Sequence, residues 1–174
     1  MLNNGGKEKY LNYAVYGITA IIGFALLLWY YAIGDNALKV LLWPHAAAAS
    51  AVFNIPMQYV DGTGYTAPNG AFAIGRECMG MNFIVLQFCM LACVFVKRFT
   101  RWKKALWLLT AFTASVLTGL AVSCMRIIGS IPFAAHEKFS TIHTGIGITL
   151  YFTALIASFF VARKMLGVIH YEKP

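Results

Sequence analysis

Three side chains able to do chemistry stand at comparable places in three separate apolar runs: Cys78 opens one, Arg126 lies near the end of the next, and His143 begins the last. A thiol, a guanidinium and an imidazole are the parts of an acyl-transfer site with a sulfur nucleophile. A free thiol titrates at about 8.5, so a nucleophilic Cys78 needs a helix N-terminus or a nearby cation to favour the thiolate. Arg126, always charged and forked, suits the negative charge that develops on an attacked carbonyl oxygen. His143 suits protonation of a leaving amine and later deprotonation of the incoming nucleophile. No acid is clearly placed to orient that imidazole. Each residue also has a plain packing explanation: thiols fill membrane interiors, arginines snorkel, and a histidine at a helix start can satisfy a carbonyl. Their common depth is what favours chemistry.

Around these three, Arg76 lies two residues before Cys78, where it would steady a thiolate or hold a carboxylate, or else pair with Glu77 or a phospholipid. Gly80 and Asn82 would shape the surroundings of the thiol, and Asn82 would equally bond a neighbouring helix. Cys124 lies about half a turn from Arg126, as a second thiol of the site or a disulfide partner of Cys78. Cys89 and Cys93, one turn apart, read as packing. His136 and Glu137 begin an H-E-x-x-H pattern, but the residue four positions on is Ser140, so the zinc motif fails and no metal is expected. His45 and His170 receive no role. Gly145 and Gly147 would let helices approach closely.

The elements that must position these residues follow from composition. The 174 residues are 60% hydrophobic, 15% aromatic and 11% charged. A soluble domain carries about 25% charged residues and a disordered chain has few aromatics, so an all-α integral membrane protein is expected. Spans are expected at about 13–33, 78–96, 105–128 and 140–162, each close to the ~20 residues a bilayer core requires. Polar residues 1–10 precede a run too long for a signal-peptide core, which implies a retained anchor. Pro44 and His45 interrupt the shorter run from Leu38 to Asn54, so a straight crossing is not expected and an outer-leaflet helix or re-entrant segment is.

Lys97, Arg98, Arg101, Lys103 and Lys104 crowd one short loop and mark it as cytoplasmic, along with Lys7, Lys9, Arg163, Lys164 and Lys173. The net charge of +8 therefore reads as membrane topology rather than nucleic-acid binding. Both termini fall on the cytoplasmic side of the cell membrane. Segment 38–77 lies on the outer face, its turn residues Asp61, Gly62, Gly64, Pro68, Asn69 and Gly70 suggesting a small hairpin cap. One domain covers the chain.

The stretch Glu77-Cys78-Met79-Gly80 resembles the cysteine motif of the exosortase and archaeosortase family. Ser123-Cys124-Met125-Arg126-Ile127 resembles its arginine motif, and His143 with Gly147 matches its H-x-x-x-G motif. The resemblance runs from about Leu38 to Ala162, and Cys78 to Phe83 looks most like the compact exosortase K type. Met79 and Ser123 depart from it, standing where many members have a small residue and an asparagine. The resemblance implies a membrane-embedded cysteine transpeptidase or protease with Cys78 as nucleophile, Arg126 as transition-state partner and His143 as acid/base, acting without a cofactor. Its implied substrates are exported proteins ending in a short motif, a hydrophobic helix and a basic tail. A thiol acyltransferase acting on lipid or a small acceptor, and a non-catalytic membrane assembly subunit, are the competing readings.

Overall fold

A computed structural model describes residues 4–171. Five α-helices follow one another: α1 (Asn4–Ala32), α2 (Asp35–Phe53), α3 (Met81–Phe95), α4 (Trp102–Ser130) and α5 (Phe139–Tyr171). Between α2 and α3 the chain forms strands β1 (Gln58–Val60), β2 (Gly64–Thr66) and β3 (Ala73–Ile74), an antiparallel sheet in the order β1-β2-β3. Four segments are long and apolar enough to cross a membrane: Glu8–Ala32, Arg76–Arg98, Trp102–Phe133 and Phe139–Gly167. They are longer than expected at most ends.

The short, mostly buried α3 is central, packed between α1 and α4, with α5 laid mainly against α4. Polarity is distributed as a bilayer demands. Ile18, Ile21 and Phe24 of α1 and Ile148, Phe152 and Phe160 of α5 are exposed, whereas buried Thr19 and Ser115 return their hydroxyls to carbonyls of their own helices, Val15 at 2.8 Å and Ala111 at 2.7 Å. Such back-bonding spends a hydroxyl that would otherwise be orphaned in hydrocarbon. Between helices, Gln87 Nε2 donates to Ser158 Oγ at 2.9 Å and Trp107 Nε1 to the Leu91 carbonyl at 3.1 Å.

Of the two forms expected for this run, α2 takes the helical one and continues through Pro44. The bond lost is the one to the carbonyl of Val40, which stands on the exposed side of the helix at 71% accessibility. Leu38, Leu42, His45, Ala46 and Ala49 form the opposite, buried face, against α4 and the segment that carries Cys78. The hairpin cap is a three-stranded meander whose Tyr65 and Ile74 are buried against that face. Tyr59 ties it to the start of α2 by donating to the Asp35 carbonyl at 3.0 Å.

Lys104 also departs from its expected place in a free basic loop. Its side chain is only 3% exposed and its Nζ lies 3.1 Å from Glu8 Oε2 and 2.9 Å from Asn12 Oδ1, pinning α4 to α1. Because Glu8 keeps contact with water at 40% exposure, removing the lysine costs less than breaking a wholly buried pair, about 1–3 kcal/mol. Lys104→Met is expected to lower the melting temperature of the purified protein, and Glu8→Gln to lower it less. At Gly119 an added Cβ would collide with the Ile84 side chain of α3, whereas at Gly17 it meets nothing within 4 Å. Gly119→Leu is therefore expected to unfold or strongly destabilise the bundle while Gly17→Leu melts close to the parent, as measured by thermal denaturation in detergent or nanodiscs.

Candidate functional site

Cys78 stands on a 3₁₀ turn, Arg76–Met79, one turn ahead of α3 rather than inside it, with its N–H bonded to the Gly75 carbonyl at 3.0 Å. Gly80 joins turn to helix at φ +67°, a left-handed conformation that side chains resist. A Cβ there would also lie 2.5 Å from both Ser123 Oγ and Tyr151 Oη, so space and backbone both require glycine.

The carbonyls on either side of Cys78 are both held by α4. Arg126 Nη2 donates to the Glu77 carbonyl at 2.9 Å, and Ser123 Oγ donates to the Met79 carbonyl at 3.0 Å. Tyr151 of α5 braces both donors: its hydroxyl lies 3.2 Å from Ser123 Oγ, and the Arg126 guanidinium sits over its ring at 5.2 Å. Gly147 clears the way for the arginine, since a Cβ there would lie 2.8 Å from Arg126 Cδ.

His143 Nδ1 lies 2.9 Å from Ser130 Oγ, and that hydroxyl donates its single proton to the Arg126 carbonyl at 2.6 Å. The serine therefore accepts from Nδ1–H, which assigns the tautomer and leaves Nε2 with a free lone pair. The orienting group is thus a serine hydroxyl, and the Phe139 ring lies beside the imidazole, tilted by 33° with centroids 5.6 Å apart. Cys78 and His143 line one small cavity with Phe72, Ile127 and Ser130, about 30 Å³, room for roughly one water. Arg126 opens instead into a groove of about 320 Å³ between α1, α3 and α5, where Tyr30, Arg76, Asn82, Leu86 and Tyr151 form the walls. The three residues are gathered around one turn, two facing the cavity and one the groove.

The remaining expectations divide. Arg76 makes no ion pair with Glu77 among the described residues. Its guanidinium donates to the carbonyls of Tyr30 and, at 2.9 Å, Ile33, capping α1, while the Tyr30 hydroxyl bonds the Arg76 carbonyl in return. Glu77 contributes its backbone oxygen, its side chain being exposed. Asn82 is exposed on the groove wall and bonds no neighbouring helix. All four cysteines are free, so Cys124 is not bridged to Cys78, and it lines neither the cavity nor the groove. Gly145 is open with nothing within 4 Å, so the close approach belongs to Gly147 alone. His136 and Glu137 are exposed, and no group of three metal-ligating side chains occurs among the described residues.

Ser130 and Tyr151 were not singled out from the sequence, and Ser123 was noted only as a departure from the arginine motif. The two serines stand three residues before and four after Arg126, the spacing of one helix face. His45 was passed over as well, yet it is only 1% exposed and burial pushes its pKa down to about 4. Matched against models of known families, curated proteins and solved structures, the chain finds no counterpart.

Gly80→Ala is expected to cost about 2 kcal/mol or more of stability and to loosen the turn, read as faster proteolysis between Gly75 and Met81. Because His45 binds its proton more weakly folded than unfolded, its contribution is present above about pH 6.5 and is lost as pH falls toward 4. The melting temperature is expected to drop over that window, and His45→Gln to flatten the drop.

Proposed function

We propose that the protein is a membrane-embedded cysteine transpeptidase, or a protease where water is the acceptor, acting at the outer face of the cell membrane with both termini in the cytoplasm. The reading fits an exosortase-like enzyme that cleaves a carboxy-terminal sorting signal and passes the exported protein to a surface acceptor. The observation that carries it is the treatment of Cys78: both flanking carbonyls are clamped from α4, and the thiol shares a cavity with an imidazole whose free nitrogen is assigned by Ser130.

In this mechanism the Cys78 proton passes to His143 Nε2 as Sγ attacks the scissile carbonyl carbon. Arg126, with guanidinium N–H groups beyond the one given to Glu77, meets the oxyanion. Collapse breaks the C–N bond, His143 returns the proton to the departing amine, and an acyl thioester remains on Cys78. An incoming amine, hydroxyl or water loses its proton to His143 as it attacks the thioester carbonyl; collapse breaks the C–S bond, the product leaves, and His143 returns the proton to Cys78 Sγ. No cofactor enters these steps.

A lipid acyltransferase is the second reading, favoured by the groove, whose walls include exposed Leu86 and Tyr31. The mass of the adduct trapped on Cys78, peptide or fatty acyl, separates the two. Cys78→Ser and His143→Ala are each expected to reduce turnover at least a thousandfold, and Arg126→Lys about a hundredfold, because a point charge does not reproduce the guanidinium fork. Cleavage of a co-expressed candidate substrate in membranes is the measurement. Full activity of the serine or alanine variant would leave a bracing role for these residues in a non-catalytic subunit.

A further inference from the structure

Cys78 and His143 share their small cavity with Phe72, Ala73 and Ile74, three successive residues at β3, and among the described residues with none of β1 or β2. Successive side chains of a strand point to opposite faces, so a cavity that touches all three runs along an edge of the strand rather than over one face. The other edge of β3 is taken by β2. The cavity therefore follows the edge that no strand of the sheet covers.

The register fixes which backbone groups stand on that edge. The Ala67 N–H bonds the Phe72 carbonyl at 3.0 Å, and two positions along each strand Tyr65 pairs with Ile74. Hydrogen-bonded and non-hydrogen-bonded pairs alternate in an antiparallel ladder. Phe72 and Ile74 thus turn their main-chain groups toward β2, and Ala73, opposite Thr66, turns its N–H and C=O away from it. Ala73 is exposed, and among the described residues no loop or turn bond occupies either group. An open edge offering an N–H and a C=O side by side is a template for another extended chain, and such pairing asks for a peptide of no particular sequence. A fatty acyl chain has no N–H to give it. At about 30 Å³ the cavity takes one carbonyl group, so the rest of a bound chain lies along its mouth.

We infer that the free edge of β3 is the docking strand for the substrate: an extended peptide pairs through its main chain with the N–H and C=O of Ala73, and one of its carbonyls enters the cavity beside Cys78. Cleavage of that peptide rests on the cysteine-enzyme reading, whereas the pairing does not. Only Gly75 separates β3 from the turn that carries Cys78, so edge and thiol belong to one short stretch of chain. The bonds from Arg126 and Ser123 to that turn hold the thiol in place relative to the edge.

The test uses the full chain in nanodiscs and the probe acetyl-Ala-Ala-Ala chloromethyl ketone, which loses chloride to Cys78 Sγ as a thioether forms. Iodoacetamide is the small reagent that needs no docking, and peptide mass spectrometry gives the ratio of the two alkylation rates at Cys78. Ala73→Pro deletes the outward N–H and spares the bonds to β2, whereas Ala73→Val keeps both and adds bulk. The proline variant is expected to lower the ratio about tenfold and the valine variant to stay within about twofold of the parent. An unchanged ratio in the proline variant, or equal losses in both, would overturn the inference. Should the proline variant fail to fold, N-methylation of the probe one amide at a time reads the same pairing on the parent: a loss confined to one amide supports it, and indifference at every amide overturns it. A second peptide, with p-benzoylphenylalanine in place of the chloromethyl ketone, is expected to crosslink to residues 71–75 of the parent, and crosslinks confined to other segments would overturn the docking. If Cys78 in the parent reacts no faster than Cys89 with either reagent, the transpeptidase reading falls while the crosslink still decides the role of β3.

Discussion

A guanidinium half-buried toward one end of an apolar helix bundle keeps its charge whatever surrounds it, so the bundle must be built around its hydrogen bonds. Arg126 is that group here. Its side chain takes the Glu77 carbonyl as acceptor and the Tyr151 ring as a face, and its backbone carbonyl takes the Ser130 hydroxyl. Through the first it fixes the turn bearing Cys78, and through the last it fixes the tautomer of His143. The thiol and the imidazole come from different helices and owe their orientation to the same arginine, one through its side chain and the other through its main chain.

Satisfying one charge explains several residues that look unremarkable in sequence. Gly147 lacks a side chain where the arginine stem passes, and Gly80 lacks one where Ser123 and Tyr151 converge. Ser123 repeats on Met79 what Arg126 does on Glu77, so the short segment is held on both sides of Cys78. Arg76, the other cation nearby, is spent on the end of α1. Two arginines fifty residues apart thus have opposite fates: one closes a helix terminus, and the other stays partly open to a groove.

The far end is simpler. Phe88, Leu91, Phe95 and Ala111 pack beneath it, and Lys104 with Glu8 and Asn12 joins α1 to α4. Chemistry-bearing groups gather at the opposite end, under the small sheet, where α2 and β3 cover the turn. A bilayer favours this division, because irregular backbone is tolerated only where protein or water meets its polar groups.

Hydropathy alone set the number and approximate limits of the long helices, since an apolar run near twenty residues has few other uses, and residue type alone marked Cys78, Arg126 and His143 as unusual in such runs. Sequence spacing could not show that α2 runs through Pro44, that Lys104 turns inward to Glu8, or that Arg76 caps α1, because each depends on what a distant segment offers as a partner. Serine as the orienting group for His143 and glycine as the space for Arg126 were likewise decided by tertiary packing. A hydrogen bond is satisfied in three dimensions, and the acceptor that satisfies it here lies up to 92 residues away along the chain.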